Sequence, residues 1–282
     1  MKTIAYQGVR GAFSYLTAIK EFGEHHHYRS AQTFKEVFEL LHRGEVDFAV
    51  LPIENSLIGS IYENYDLLNR YEMQIIGEHY TKIEHCLLSV ASNEAKNERL
   101  KKIKRVLSHP KALEQCSHFF QRHGWMDAVV HVDTAAAAEE IAARSDPSYA
   151  AIASASAAEM YGLDLLEEKI EDDPRNYTRF VIVSQRGSYD HQADKCSVLL
   201  QLKHVPGALA EGLKVLAQQG VNLTKIESRP LRGSLFEYVF YLDFEFKGRG
   251  MQQVEDILKM LREKVNQLIV LGFYKKGMIW TS

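Results

Sequence analysis

Residues able to do chemistry gather in six short stretches of this 282-residue chain: 8–14 (GVRGAFS), 54–60 (ENSLIGS), His85, 108–111 (SHPK), 154–156 (SAS) and 176–179 (NYTR). Hydroxyls, side-chain amides and lysine or arginine recur among them, and several precede a helix start. Oriented N–H donors and guanidinium forks match the geometry of a carboxylate. The set therefore suits a small molecule carrying carboxylates. Each stretch alone also has an ordinary structural use; Ser154, for instance, fits a helix N-cap. The stronger signal is that all six fall at the ends of predicted strands, where open α/β sheets bind their ligands. The NYTR stretch follows IEDDP, whose Pro174 resists helix, and leads into a strand.

Other constellations are bland. No GxSxG nucleophile elbow is present. His25, His26 and His27 are adjacent, so they do not face one metal, and they read as a solvated helix end. Lys101, Lys102, Lys104 and Arg105 form a charge run of the kind found on solvated faces. Cys86, Cys116 and Cys196 are far apart and lack CxxC or zinc spacing, so they read as packed thiols. No metal or cofactor is expected.

The elements that must position these groups follow from periodicity. Residues 3–6 form a short strand, followed by a glycine turn at Gly8 and Gly11 and a helix through Tyr15, Ile19 and Phe22. Phe34, Val37, Phe38 and Leu41 fall at i, i+3, i+4 and i+7, a helix with Thr33 as N-cap. The run DFAVLPI over 47–53 suits a strand buried on both faces, which places ENS at its C-terminal end. A helix is expected over 60–70, strands over 75–90 and 105–108, and one helix over 109–123 with Ala112, Cys116, Phe119 and Phe120 inward. A strand over 128–132 precedes an alanine-rich helix capped by Asp133 or Thr134. A strand over 149–153, a helix beginning at Ser154 or Ser156, and a strand over 180–184 complete the region. This alternation predicts a parallel α/β sheet. After a polar linker over 185–195 the order becomes βαββαβ, a ferredoxin-like split βαβ sandwich, with an alternating strand over 236–246.

Hydrophobic residues are 46%, charged residues 25%, and the net charge is −3. This is ordinary globular composition, without the clustered cations that nucleic acid requires. The opening MKTIAYQG has no apolar signal region, and no run approaches ~18 apolar residues. A cytoplasmic location without membrane or nucleic-acid partners is expected.

Six quoted motifs resemble the prephenate dehydratase family: YQGVRGAFS from Tyr6, PIENSLIGSI from Pro52, SHPKALEQC from Ser108, DTAAAAEEIA from Asp133, IASASAAEMYGL from Ile152 and IEDDPRNYTRF from Ile170. Two more, HVPGALA from His204 and NLTKIESRPL from Asn222, resemble the ACT regulatory domain joined to that enzyme. A chorismate mutase region such as fused relatives carry is not expected, so the resemblance is to monofunctional, bacterial-type enzymes.

The resemblance implies a two-lobed, periplasmic-binding-protein-like catalytic domain over 1–184, with lobe one about 1–77 plus 178–184 and lobe two about 78–177. It implies a linker over 185–195 and an ACT domain over 196–276. It implies conversion of prephenate to phenylpyruvate, CO₂ and water, with feedback inhibition by L-phenylalanine. The implied catalytic residues are Thr178, Arg179 and Phe180. Substrate contacts fall to Asn55, Ser56, His85, Ser154, Ala155 and Asn176. Phenylalanine would be held by Gly207, Ala208, Leu209 and Ala210 with Asn222, Leu223, Thr224, Glu227, Ser228, Arg229 and Pro230. A homodimer through the ACT domains and a tetramer are expected. Two alternatives remain: an arogenate dehydratase, and a non-catalytic amino-acid sensor.

Overall fold

The computed structural model describes residues 1–187, 192–203, 205–231 and 237–279. Residues 188–191 of the expected linker, His204 of the HVPGALA motif and Phe236 of the alternating strand lie outside the described residues. Two compact units divide the chain. The first holds Met1–Asn64 and His79–Phe180; the second holds Tyr65–Glu78 and Val181–Met278.

The first unit opens with β1 (Thr3–Gln7), α1 (Phe13–Phe22), β2 (His27–Ala31), α2 (Phe34–His42), β3 (Phe48–Asn55) and β4 (Gly59–Ser60). Next come α3 (Tyr62–Arg70) and β5 (Gln74–Lys82), each divided between the units. Local chemistry explains these elements. The Thr33 side chain accepts the Glu36 N–H at 3.1 Å and caps α2, whose Val37, Phe38, Leu40 and Leu41 are buried.

The chain continues through β6 (Cys86–Val90), α4 (Lys96–Lys102), β7 (Arg105–Ser108), α5 (Pro110–Gln115), α6 (Ser117–Arg122), β8 (Asp127–Val130), α7 (Thr134–Arg144), β9 (Tyr149–Ala153), α8 (Ala155–Tyr161), β10 (Leu163–Glu167) and β11 (Tyr177–Ser184). The single helix expected over 109–123 is two. Cys116, at φ −115° and ψ 30°, ends α5 and precedes α6. The Asp172 carboxylate accepts the Ser117 and His118 N–H groups there, so a distant side chain caps the second helix.

The first sheet has the order β2-β1-β3-β11-β5, with β4 against β3. Its inner strand β11 is thus contributed by a segment far from β3 in sequence. The second sheet has the order β10-β6-β9-β7-β8. Here the expected parallel arrangement is corrected. Strand β7 pairs in parallel with β8 and β9, but β6 pairs antiparallel with both β9 and β10. Parallel neighbours need a crossover connection, whereas β6 enters this sheet from β5 of the other sheet through residues 83–85 alone, and its direction is set by that entry. Both faces of this sheet are covered. Leu87, Val106 and Ile152 pack with Ala112, Cys116 and Phe119 on one side. Leu88, Leu107 and Ala151 pack with Ala137, Ala138 and Ile141 on the other.

The second unit carries β12 (Lys195–Gln201), α9 (Ala208–Gln218), β13 (Asn222–Pro230), β14 (Tyr238–Glu245), α10 (Met251–Arg262) and β15 (Gln267–Tyr274). This is the expected βαββαβ order, in an antiparallel sheet β13-β14-β12-β15. Its core joins Val198, Leu200, Leu216, Leu242, Phe244, Ile257 and Leu261. A buried ion pair sits at its border: Lys195 Nζ lies 2.8 Å from Glu78 Oε2, and the Gly277 N–H donates to Glu78 Oε1. Gly272 touches β5 so closely that a Cβ there would lie 1.9 Å from the Ile75 carbonyl oxygen.

Candidate active site

Within the first unit a cavity of about 380 Å³ is lined by Phe13, Ser14, Asn55, Ile83, His85, His109, Lys111, Gln115, Asp133, Thr178 and Phe180, among others. Both sheets of the unit contribute. Asn55 ends β3, Thr178 and Phe180 alternate along β11, and His85 immediately precedes β6. His109 and Lys111 flank the start of α5, and Asp133 caps α7 by accepting the Ala135 and Ala136 N–H groups.

A chain of side-chain hydrogen bonds fixes the cavity floor. Asn55 Oδ1 accepts the backbone N–H groups of Leu57 and Ile58, each at 3.0 Å. Backbone nitrogens can only donate, so this carboxamide has one possible orientation. Its Nδ2 then donates to Asn176 Oδ1 at 2.8 Å and to Thr178 Oγ1 at 2.9 Å. Asn176 Nδ2 in turn donates to Gln115 Oε1 at 3.0 Å. That oxygen also lies 3.0 Å from His85 Nε2, which must therefore carry the proton. Burial pushes the His85 pKa down, opposed by the Gln115 hydrogen bond and the Glu171 charge. The ring is accordingly a neutral Nε2–H tautomer. Thr178, 8% exposed, accepts from Asn55 and keeps its own O–H proton for another partner. Each such buried bond contributes about 1 kcal/mol, and a member left unpaired costs about 1–3 kcal/mol.

The other expected residues are placed as follows. Asn176 is wholly buried within the relay. Ser56 clips two strands together: its Oγ donates to the Arg175 carbonyl and accepts the Tyr177 N–H. Arg179 does not line the cavity, because alternation along β11 turns it away from the side of Thr178 and Phe180; its guanidinium is 3.9 Å from the Glu54 carboxylate. Ser154 and Ala155 line a separate 270 Å³ cavity with Cys86 and Thr81, and Phe13 borders both. Ser154 Oγ caps α8 and donates to the Gly11 carbonyl at 3.2 Å. Burial pushes the Cys86 thiol up to about 11, which leaves it un-ionised at neutral pH. In the second unit, Gly207, Ala208, Leu209 and Ala210 line a groove of about 690 Å³ with Val205, Tyr238 and Phe240. Asn222, Leu223, Thr224, Glu227, Ser228, Arg229 and Pro230 lie along β13 and do not line that groove.

Gln115 was missed by sequence reading. It stands in the SHPKALEQC motif, but on a continuous helix it reads as one more polar residue. The break at Cys116 ends that helix just beyond it.

Residues 4–188 match the family model for prephenate dehydratase. The chain belongs to the prephenate dehydratase family. It is 41% identical to arogenate dehydratase/prephenate dehydratase 2 of Arabidopsis thaliana, a chloroplastic enzyme, over 96% of this chain and 72% of that one. It resembles the solved prephenate dehydratase of Arthrobacter aurescens in complex with L-Phe, with a TM-score of 0.85, 32% identity, and coverage of 97% and 90% of the two chains. It is equally close in shape to GqqA, described as a novel type of quorum quenching acylase, with a TM-score of 0.85, 34% identity, and coverage of 97% and 98%. Membership in the prephenate dehydratase family makes this chain a carbon–oxygen lyase of aromatic amino-acid biosynthesis, with dehydratase activity toward prephenate or arogenate. Among the described residues no helix is long and apolar enough to cross a membrane.

Proposed function

We propose that this chain converts prephenate to phenylpyruvate, CO₂ and water, and that L-phenylalanine bound to a C-terminal ACT domain inhibits it. The carrying observation is the donor state of Thr178. Asn55 Nδ2 donates to its oxygen at 2.9 Å, so the hydroxyl proton points to another acceptor. Loss of CO₂ drives electrons through the substrate ring, and departure of the ring hydroxyl restores aromaticity. A donor at the departing oxygen lowers that barrier. Thr178 supplies it by positioning and hydrogen bonding, since a threonine hydroxyl is too weak an acid for full transfer. Phe180 packs the ring. Arg179 acts from behind the strand through Glu54 rather than by touching a carboxylate. Lys111, at the cavity edge, meets one carboxylate by charge.

Residues 1–184 form the catalytic region in this reading, 185–195 the linker and 196–276 the ACT domain. The 207–210 stretch at the start of α9 and the 222–230 strand form one phenylalanine site when two copies pair, and two such dimers make the tetramer.

A second reading, arogenate as substrate, draws on the double name of the Arabidopsis relative. An acylase reading is disfavoured by the same hydrogen bond: a nucleophilic hydroxyl needs a base to take its proton, and Asn55 gives Thr178 a donor. The test follows phenylpyruvate from prephenate, and phenylalanine from arogenate, with and without added L-phenylalanine. Prephenate turnover suppressed by phenylalanine supports the whole reading. Turnover of arogenate alone transfers it to the second, and turnover of neither by folded protein overturns both.

A further inference from the structure

Another cavity of the first unit, of about 370 Å³, shares no lining residue with the candidate active site. It is built by Tyr6 of β1, by Val9 and Arg10 of the glycine turn, and by Glu139, Met160 and Tyr161 of α7 and α8. The turn is held against α8 by main-chain contacts. Tyr161 Oη donates to the Arg10 carbonyl at 2.7 Å, and Ser154 Oγ donates to the Gly11 carbonyl at 3.2 Å. A Cβ on Gly11 would lie 3.4 Å from the Ala157 Cβ. The frame of the cavity therefore does not depend on the Arg10 side chain.

Arg10 and Glu139 bring opposite charges to this cavity. The Arg10 guanidinium lies 5.9 Å from the centroid of the Tyr15 ring. Among the described residues neither the Arg10 nor the Glu139 side chain has an ion-pair or hydrogen-bond partner. Opposite charges that line one cavity without meeting leave room for a molecule that carries both. The two groups also act on the same hydroxyl. Burial first, then Glu139 and Asp133, push the Tyr161 pKa up to about 12, with Arg10 opposing. Tyr161 is thus a neutral phenol at neutral pH, and with its proton given to the Arg10 carbonyl its oxygen is left to accept.

We propose that this cavity binds a free α-amino acid as its zwitterion. Arg10 holds the carboxylate, because a guanidinium fork matches its geometry. Glu139 and the Tyr161 oxygen receive the ammonium, and Val9 and Met160 flank the side chain.

Isothermal titration of the full chain with each proteinogenic L-amino acid tests the site. The tightest binder is then compared with its amine and its des-amino acid, each of which lacks one charge. Arg10→Gln and Glu139→Gln should each weaken that binder by about tenfold, as loss of one charge-assisted hydrogen bond does. The two one-charge analogues should be weakened to a similar degree, and Arg10→Lys, which keeps the charge, should recover part of the loss. Circular dichroism checks that the variants fold. L-phenylalanine held in the groove of the second unit would titrate unchanged in both variants, which separates the two sites. The proposal is overturned if no amino acid binds, or if every one that binds does so equally well to both variants. Weakening by one variant alone would also overturn it, since a zwitterion needs both charges.

Discussion

Thr178 carries the sharpest expectation at the scale of single residues. Removing one preorganised donor costs about 10²–10³ in turnover, so Thr178→Val should lower kcat by that order while circular dichroism stays unchanged. Near-normal kcat in the folded variant would end its role. His85 links the site to stability. Its folded pKa is depressed by burial below the ordinary 6.5, so the unfolded chain binds its proton first. The histidine's contribution is full above pH 6.5 and is lost as pH falls through the lower, folded pKa. Thermal melts of the wild type should drop in that acid window, and those of His85→Phe should drop less; parallel curves would show that this ring is not responsible. The cavity-facing Thr178 and Phe180 stand on a strand buried along nearly its whole length. That double burial is why sequence periodicity could not say which side faced substrate; Arg179 was expected at the site from the family resemblance.

Elements held together by local signals were readable in advance. The four apolar residues of α2 and its Thr33 cap lie within nine positions of one another, as do Asp133 and the buried residues of α7. Features set by distant partners were not: the α5–α6 break depends on Asp172, and the reversed β6 depends on a sheet neighbour far along the chain. The return of β11 to the first sheet was likewise invisible to periodicity and came only with the family resemblance. Tertiary partners also decide two tests. Breaking a buried ion pair by removing one partner costs about 3–5 kcal/mol, so Lys195→Met should lower urea stability by that amount. Adding Glu78→Leu should recover most of it, and an intact midpoint in the single variant would show the pair to be dispensable. Gly272→Ala must displace β15 from the Ile75 carbonyl; thermal denaturation should fall well below wild type, and an unchanged midpoint would rule out that close approach.

The two units give the whole molecule separate catalytic and regulatory expectations. If phenylalanine binds the second unit in the native state alone, ligand at 100 times Kd stabilises by about 2.7 kcal/mol. Calorimetry should then show a higher melting temperature with phenylalanine, and sedimentation should show a tetramer; an unshifted melt would remove the effector site. The order of the first sheet bears on biosynthesis. Strands β1, β2 and β3 leave the ribosome early, but β11, which stands between β3 and β5, is made only after residue 176. At about 5–20 residues per second, the first three strands wait roughly 6–25 seconds for their inner neighbour. The second sheet, whose strands all lie between residues 86 and 167, is complete before then. A chain ending at residue 170 and released from the ribosome should therefore protect the later-made sheet from protease and leave the earlier-made one open.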